Sequence, residues 1–191
     1  FSKSETPPDR SIVFLFVTAE EQGLLGSEYY VENPIFPLDK TVCNLNMDGV
    51  NPAGPMKDFT IVGMGHSEMD GYAEKHAQLQ DRYVMQEQEP EKGYFFRSDH
   101  FNFAKGGVPA LYAEGGNEHL TKGKEYAKAF KEDFVANNYH APSDEFDPET
   151  WDINGMIQDA QIYLNIGADM ASNRDWPKWN AESEFKRPKK Q

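Results

Sequence analysis

Three acidic side chains and one histidine stand where they could hold a metal ion and activate water. Glu20 and Glu21 are adjacent and follow an apolar run, Asp48 ends a second such run, and His140 precedes the clearest amphipathic segment. Glutamate, aspartate and histidine together are a common ligand set for zinc. In metal-assisted hydrolysis one carboxylate can hold the ion while another takes a proton from the attacking water. These residue types therefore indicate hydrolytic chemistry, provided that the fold brings them together.

Each of these residues also has an ordinary structural interpretation. Thr18 and Glu21 fit the capping-box pattern at a helix start. Asp48 is followed by glycine, which is a strong hairpin-turn signal, although the prolines just beyond it favour a loop. His140 could be a loop histidine hydrogen-bonded to Asp144. The capping and ligand roles exclude one another for Glu21, because its carboxylate cannot make both contacts.

The segments around these residues alternate between strand-like and helix-like patterns. Residues 11–17, SIVFLFV, predict a strand covered on both faces, whose carboxyl end would place Glu20 and Glu21 at the edge of a parallel sheet. Residues 115–139 are polar and weakly periodic, which indicates a long loop serving as a lid or binding wall. Further strands are predicted around residues 41–48, 59–63, 83–85 and 108–112, and helices around 22–32, 68–80, 98–105 and 151–171.

This alternation predicts an α/β fold with a largely parallel sheet. We expect residues 1–10 to be a linker or loop, residues 11–172 to form one domain, and residues 173–191 to be a polar tail. The 191-residue length suits a single core of this kind.

Composition excludes several classes of partner. A formal net charge of -13 argues against nucleic acid or an anionic membrane surface, since both attract basic proteins. No apolar run approaches the length of a membrane span. Cys43 is the only cysteine, so the chain cannot form an internal disulfide.

Four short motifs resemble, in order and spacing, those of the M28 zinc aminopeptidases. The similarity extends over roughly residues 11–172 and implies a three-layer sandwich of the zinc-exopeptidase (phosphorylase/hydrolase-like) type, with a mostly parallel mixed sheet. The motifs are TAEEQGLLGS at residues 18–27, NMD at 46–48, RSDHF at 97–101 with GVPA at 107–110, and YHAPSD at 139–144.

The resemblance also implies roles for these residues. Glu20 would be the general base, Glu21 and His140 would bind one zinc ion, and Asp48 would bind a second. Asp144 could then orient His140.

The 97–100 segment would line the substrate side of the site through Arg97, Ser98 and Asp99. Phe95, together with Tyr94 and Phe96, is a candidate for an apolar side-chain pocket. The ordinary alternatives are that Ser98 caps a helix, that Asp99 satisfies its first-turn amides, and that the aromatic rings are plain core.

The chain departs from the family in one respect. Members also supply a histidine and a bridging aspartate before the glutamate pair, and no histidine precedes Glu20 here. Because the sequence also begins without Met, we expect that it is the C-terminal portion of a longer protein. We expect two zinc ions in the complete protein and a partial or empty site in this portion.

The expected function is hydrolysis of peptide substrates at a free N-terminus, in a protein that is periplasmic or secreted as the family suggests. Two alternatives stay open. One is a single-zinc acyltransferase resembling glutaminyl cyclase, and the other is a metal-free binding module that shares the fold.

Overall fold

One mixed sheet organises the computed structural model, which describes residues 1–3 and 5–187. Its strands are β1 (Asn44–Asn46), β2 (Asp58–Val62), β3 (Tyr83–Gln86) and β4 (Ala110–Gly115), in the spatial order β1-β4-β2-β3. β1 is parallel to β4 and β2 is parallel to β3, whereas β2 and β4 run antiparallel. The predicted α/β fold with a mostly parallel mixed sheet is confirmed.

Side chains alternate between the two faces of this sheet and so define three layers. Phe59 and Ile61 of β2 belong to one core cluster, whereas Val62 belongs to a second cluster on the other face. Helices α2 and α5 cover the first face, α3 covers the second, and α1 packs against α3. The helices are α1 (Leu25–Glu32), α2 (Met69–Gln78), α3 (His100–Lys105), α4 (Gly123–Asn137) and α5 (Asn154–Ser172).

A buried tyrosine ties helix α5 to the end of β1. The Tyr163 hydroxyl lies 2.8 Å from the carbonyl oxygens of Asn46 and Ala113, and it accepts a 2.9 Å hydrogen bond from the Ala113 amide. The hydroxyl is therefore satisfied in the core, as a buried polar group must be. This contact fixes the carboxyl end of β1, just before Asp48.

The predicted strand at residues 11–17 is wrong, because these residues do not form a strand. Phe14 is 68% exposed and Phe16 is 92% exposed. A strand needs a neighbouring backbone to satisfy its amides and carbonyls, and no strand of the described residues pairs with this segment. The apolar pattern was therefore a poor guide to local structure here.

The predicted long loop is also wrong, since residues 123–137 form helix α4. Ala127 and Phe130 pack against Ala53 and Met56 in a third apolar cluster. Charged residues make up much of the remaining helix surface, next to exposed apolar residues such as Val135. They dilute the apolar periodicity that would otherwise have revealed the helix.

The segment after α5 packs against the sheet rather than extending into solvent. Trp179 and Phe185 contact Phe95 and neighbouring residues of the second core cluster. The Trp179 indole N–H donates a 3.0 Å hydrogen bond to the Gly107 carbonyl. Residues 188–191 of the predicted tail and residue 4 of the predicted linker lie outside the described residues, and the predicted division into linker, domain and tail stays a prediction.

Among the described helices, none combines the length and apolar character needed to cross a bilayer.

Candidate metal and catalytic site

The two adjacent glutamates lie in a tight backbone turn that precedes α1. The carbonyl oxygens of Thr18, Ala19 and Glu20 accept hydrogen bonds from the amides of residues 24–26 at 2.8–3.2 Å. Helix α1 begins at Leu25, and no side chain caps its N-terminus. The capping-box interpretation of Thr18 and Glu21 is therefore wrong, which leaves the Glu21 carboxylate free for other contacts.

This turn requires glycine at position 26. A Cβ atom at Gly26 would lie 2.4 Å from the Thr18 carbonyl oxygen and 2.7 Å from its amide nitrogen. Both atoms belong to the backbone and cannot rotate away. Gly26 thus permits the close approach that sets the position of both glutamates.

Glu21 and His140 meet although they lie far apart in the sequence. The Oε1 atom of Glu21 lies 2.6 Å from the Nε2 atom of His140, and both side chains are more than half exposed. The Tyr139 ring stacks on the His140 ring, with centroids 3.8 Å apart and planes inclined by 21°. The imidazole is therefore held between an aromatic face and a carboxylate.

A hydrogen-bonded loop presents His140 to Glu21. His140 adopts a left-handed backbone conformation with φ 59°, an uncommon conformation for a residue other than glycine. Asn138 donates a side-chain hydrogen bond to the Ser143 carbonyl at 2.9 Å, and the Ser143 hydroxyl donates one to the Asn137 carbonyl at 2.7 Å. These contacts close the loop and hold the unusual backbone conformation in place.

Glu20 is electrostatically coupled to the other acids of the site. Burial raises the pKa of Glu20 above its usual range, and the negative charges of Asp48, Glu21 and Asp99 raise it further, while His140 opposes this. The interaction places these residues in one neighbourhood, which we call the acidic cluster: Glu20, Glu21, Asp48 and Asp99. The fold thus brings the carboxylates that follow three separate segments to one region beside His140.

The RSDHF segment lies against the end of β1. Ser98 is buried, and its hydroxyl accepts a 2.7 Å hydrogen bond from the Asn46 side chain. Neither Ser98 nor Asp99 makes a side-chain capping bond to helix α3, so the capping interpretation of both residues is wrong. Burial raises the pKa of Asp99, a hydrogen bond with Ser27 opposes this, and Asp48 adds to the increase.

Three residues singled out from the sequence make other contacts. Asp144 does not bond to His140, whose partner is Glu21, and the Asp144 amide donates to the Ala141 carbonyl. Arg97 is exposed, with its guanidinium over the Tyr94 ring. Phe95 is 6% exposed and packs in the core with His100, so the plain-core alternative describes it.

Sequence reasoning missed the contribution of Tyr139. Its ring lies against His140 and within 6.5 Å of the Phe134 ring of α4. The available signal was its position directly before the histidine, but the stacking depends on the left-handed conformation at His140. That conformation has no signature in the sequence.

The donors of the site suit zinc, although they form an incomplete ligand set. Glu21 and His140 supply an oxygen and a nitrogen, which are ordinary zinc ligands. Within residues 1–3 and 5–187, no group of three or more histidine, cysteine, aspartate or glutamate side chains is arranged to hold a metal ion. The pair therefore supplies two donor atoms of the kinds that zinc binds.

Comparison with known proteins identifies a family model that covers most of the chain. The sequence model described as Peptidase family M28 matches residues 1–165. None of the curated proteins matches the sequence.

Two solved structures of bacterial aminopeptidases are similar to the chain. LapA aminopeptidase of Legionella pneumophila aligns with 90% of this chain at a TM-score of 0.58 and 18% identity. The aminopeptidase from Aneurinibacillus sp. strain AM-1 aligns with 91% at a TM-score of 0.49 and 20% identity. The chain spans 43% and 36% of these two structures, respectively. The first similarity confirms the fold class.

Proposed function

Because the chain belongs to peptidase family M28, we propose that its protein is a zinc-dependent aminopeptidase that hydrolyses the peptide bond next to a free N-terminus. The observation that carries the proposal is the 2.6 Å contact between Glu21 and His140 beside a second glutamate. Two zinc-type donors and a neighbouring carboxylate are what metal-assisted hydrolysis needs from a protein.

In this proposal the two adjacent glutamates have different roles. Glu21 and His140 would hold one zinc ion, and Asp48 would contribute to a second. Zinc bound there supplies acidity to a water molecule and polarises the scissile carbonyl. Glu20 takes the proton of the attacking water and delivers it to the departing amine.

The surroundings of Glu20 suit a carboxylate that accepts a proton from water and does not bind the metal ion. The turn at residues 18–26 places Glu20 and Glu21 on one rigid loop, yet Glu20 is partly buried whereas Glu21 is exposed. The two carboxylates are therefore presented differently although their residues are adjacent. The excess of acidic groups around them also favours the cationic amino terminus of a peptide.

The test uses the full-length protein with aminoacyl-naphthylamides and short peptides. We expect hydrolysis that a chelator abolishes and zinc restores, together with no cleavage of N-acetylated forms of the same peptides. Cleavage of acetylated peptides would contradict an aminopeptidase. Cyclisation of an N-terminal glutamine peptide without hydrolysis would favour the acyltransferase, and zinc-independent peptide binding alone would favour a binding module.

A further inference from the structure

A cleft next to the His140 loop has the composition of a receptor for a cationic side chain. Its volume is about 470 Å³. Its walls are rich in aromatic and acidic residues, and none of the lysines and arginines that the structure describes lines it. We call it the aromatic cleft and define it by Phe134, Phe146 and Trp151 together with Asp133, Glu145 and Asp147.

The aromatic walls are arranged around one indole. The Trp151 ring makes edge contacts with Phe146 at 5.7 Å and with Phe134 at 6.3 Å. Phe146 is nevertheless 61% exposed, so its ring is open to a ligand. Aromatic faces attract the aliphatic stems and the charged ends of lysine and arginine side chains.

The acidic groups give the cleft its charge preference. Asp147 accepts hydrogen bonds from the Glu149 amide and the Thr150 hydroxyl, and Asp133 accepts one from the Asn137 side chain. These contacts hold both carboxylates at the cleft, and the hydrogen bonds keep the pKa of Asp147 below its usual range. Glu145 makes no hydrogen bond or ion pair within the described part of the chain, so it can meet a ligand directly.

The cleft lies beside the loop that carries His140. Tyr139 stacks on His140 at 3.8 Å and also contacts Phe134, a wall of the cleft, at 6.5 Å. Asn138 and Ser143 line the cleft and close the loop that carries His140. Asn138 and Ser143 lie two and three residues from His140 along the chain, and an extended peptide advances about 3.3–3.6 Å per residue, so the cleft is a candidate for a residue of a peptide bound at His140.

We propose that the aromatic cleft binds a lysine or arginine side chain of the peptide substrate, on the C-terminal side of the scissile bond. The direction in which the peptide lies rests on the proposed peptidase function. With the free amino terminus of the peptide at His140, the residues after the scissile bond enter the cleft. It predicts a preference for basic residues at the second to fourth positions of the peptide.

The first experiment measures kcat/KM of the full-length enzyme on peptides that share a first residue and carry lysine, alanine or glutamate at positions two to four. We expect lysine to exceed glutamate by about tenfold or more at one of these positions. Glu145→Gln should reduce that ratio several-fold, whereas Glu125→Gln, on α4 outside the cleft, should leave it unchanged. Aminoacyl-naphthylamides lack downstream residues and should be cleaved equally by the wild type and by the Glu145→Gln and Glu125→Gln variants.

The two proposals can fail separately. Naphthylamide cleavage without any lysine preference would overturn the cleft inference and leave the peptidase proposal standing. If no substrate is cleaved, calorimetric titration with N-acetylated lysine and glutamate tripeptide amides still decides the inference. Tighter binding of the lysine peptide that Glu145→Gln weakens would support it, whereas equal binding, no binding, or a preference for a phenylalanine peptide would overturn it.

Discussion

The Nε2 atom of His140 lies 2.6 Å from the Oε1 atom of Glu21, joining the loop after α4 to the turn before α1. Neither residue is buried, so the contact depends on backbone geometry rather than on core packing. The glutamate turn and the His140 loop each contain a non-glycine residue in the left-handed region, Ala19 with φ 57° and His140 with φ 59°. Such strain in the turn and in the loop that together form one contact is typical of functional sites.

Glu20→Gln removes the proposed base while keeping the size of the side chain. General-base catalysis contributes roughly 10²- to 10⁴-fold, so we expect kcat to fall by about that factor with little change in KM. Steady-state kinetics of the full-length protein provide the measurement. The matched control is Glu28→Gln on the exposed surface of α1, which should retain normal turnover. Unchanged kcat in Glu20→Gln would contradict the assignment of the base.

Glu21→Gln and His140→Gln should each reduce the zinc content of the full-length protein after dialysis. Since both side chains are proposed to hold the same ion, the double variant should lose little more than either single variant. Metal analysis by mass spectrometry checks this without reference to activity. Asp144→Asn serves as the control and should keep its zinc, because Asp144 does not contact His140. Additive losses would indicate that the two residues hold different ions.

Gly26→Ala should damage the glutamate turn. The new Cβ would meet the Thr18 carbonyl oxygen at 2.4 Å, and the backbone would have to shift. We expect an overpacking penalty of about 1–3 kcal/mol in the free energy of unfolding and a fall in kcat/KM of roughly tenfold or more.

The contrasting substitution is Gly71→Ala in α2, where nothing lies within 4 Å of the new atom. It should stabilise the protein by about 0.5–1 kcal/mol through helix propensity. Chemical denaturation and kinetics on both variants separate the two effects. Wild-type kinetics in Gly26→Ala would show that the close approach at Thr18 is dispensable.

His100 should make the fold sensitive to acid. It is fully buried between Phe95 and Tyr112, and both ring nitrogens lack a hydrogen-bond partner in the described structure. Burial, together with a smaller electrostatic effect of His66, lowers the pKa of His100 from 6.5 to about 3. The unfolded chain therefore binds one more proton than the folded chain between these values, so stability falls as the pH drops from about 6.5 towards about 3.

The measurement is the free energy of unfolding of wild type and His100→Phe across this range. The difference between the two curves should change by about 1.4 kcal/mol per pH unit, because carboxylate titration is common to both proteins. Any constant difference at neutral pH reflects packing alone. Parallel curves would contradict the buried, neutral state of His100.

The sequence predicted the elements whose pattern matches their burial. β2 has all five residues buried, and α5 buries Ile162, Ile166 and Met170 on one stripe, so periodicity located both. Residues 11–17 carry an equally strong apolar pattern, yet composition cannot show whether a neighbouring strand is present. Helix α4 was missed for the opposite reason, because its small apolar face is surrounded by charge.

The candidate site, like the fold, could be predicted only in part from the sequence. The types and order of Glu20, Glu21, Asp48 and His140 are visible in the sequence and led to the prediction of metal-dependent hydrolysis, which stays a prediction. The pairing of Glu21 with His140 was expected only through the family resemblance, and the stacking of Tyr139 and the core position of Phe95 depend on backbone conformation and tertiary packing. Those properties depend on segments that are far away in the sequence, so a local sequence pattern cannot reveal them.

The packing of Phe185 on Phe95, with Trp179 against Phe185, also has a practical consequence. Phe95 is in ring contact with His100, and His100 adjoins Asp99 of the acidic cluster. Shortened versions of the protein that stop after α5 would leave this aromatic group exposed to water. The lost packing should also disturb the position of the carboxylates that the group supports. Affinity tags are therefore better attached beyond Arg187, through a spacer, than in place of the residues that precede it.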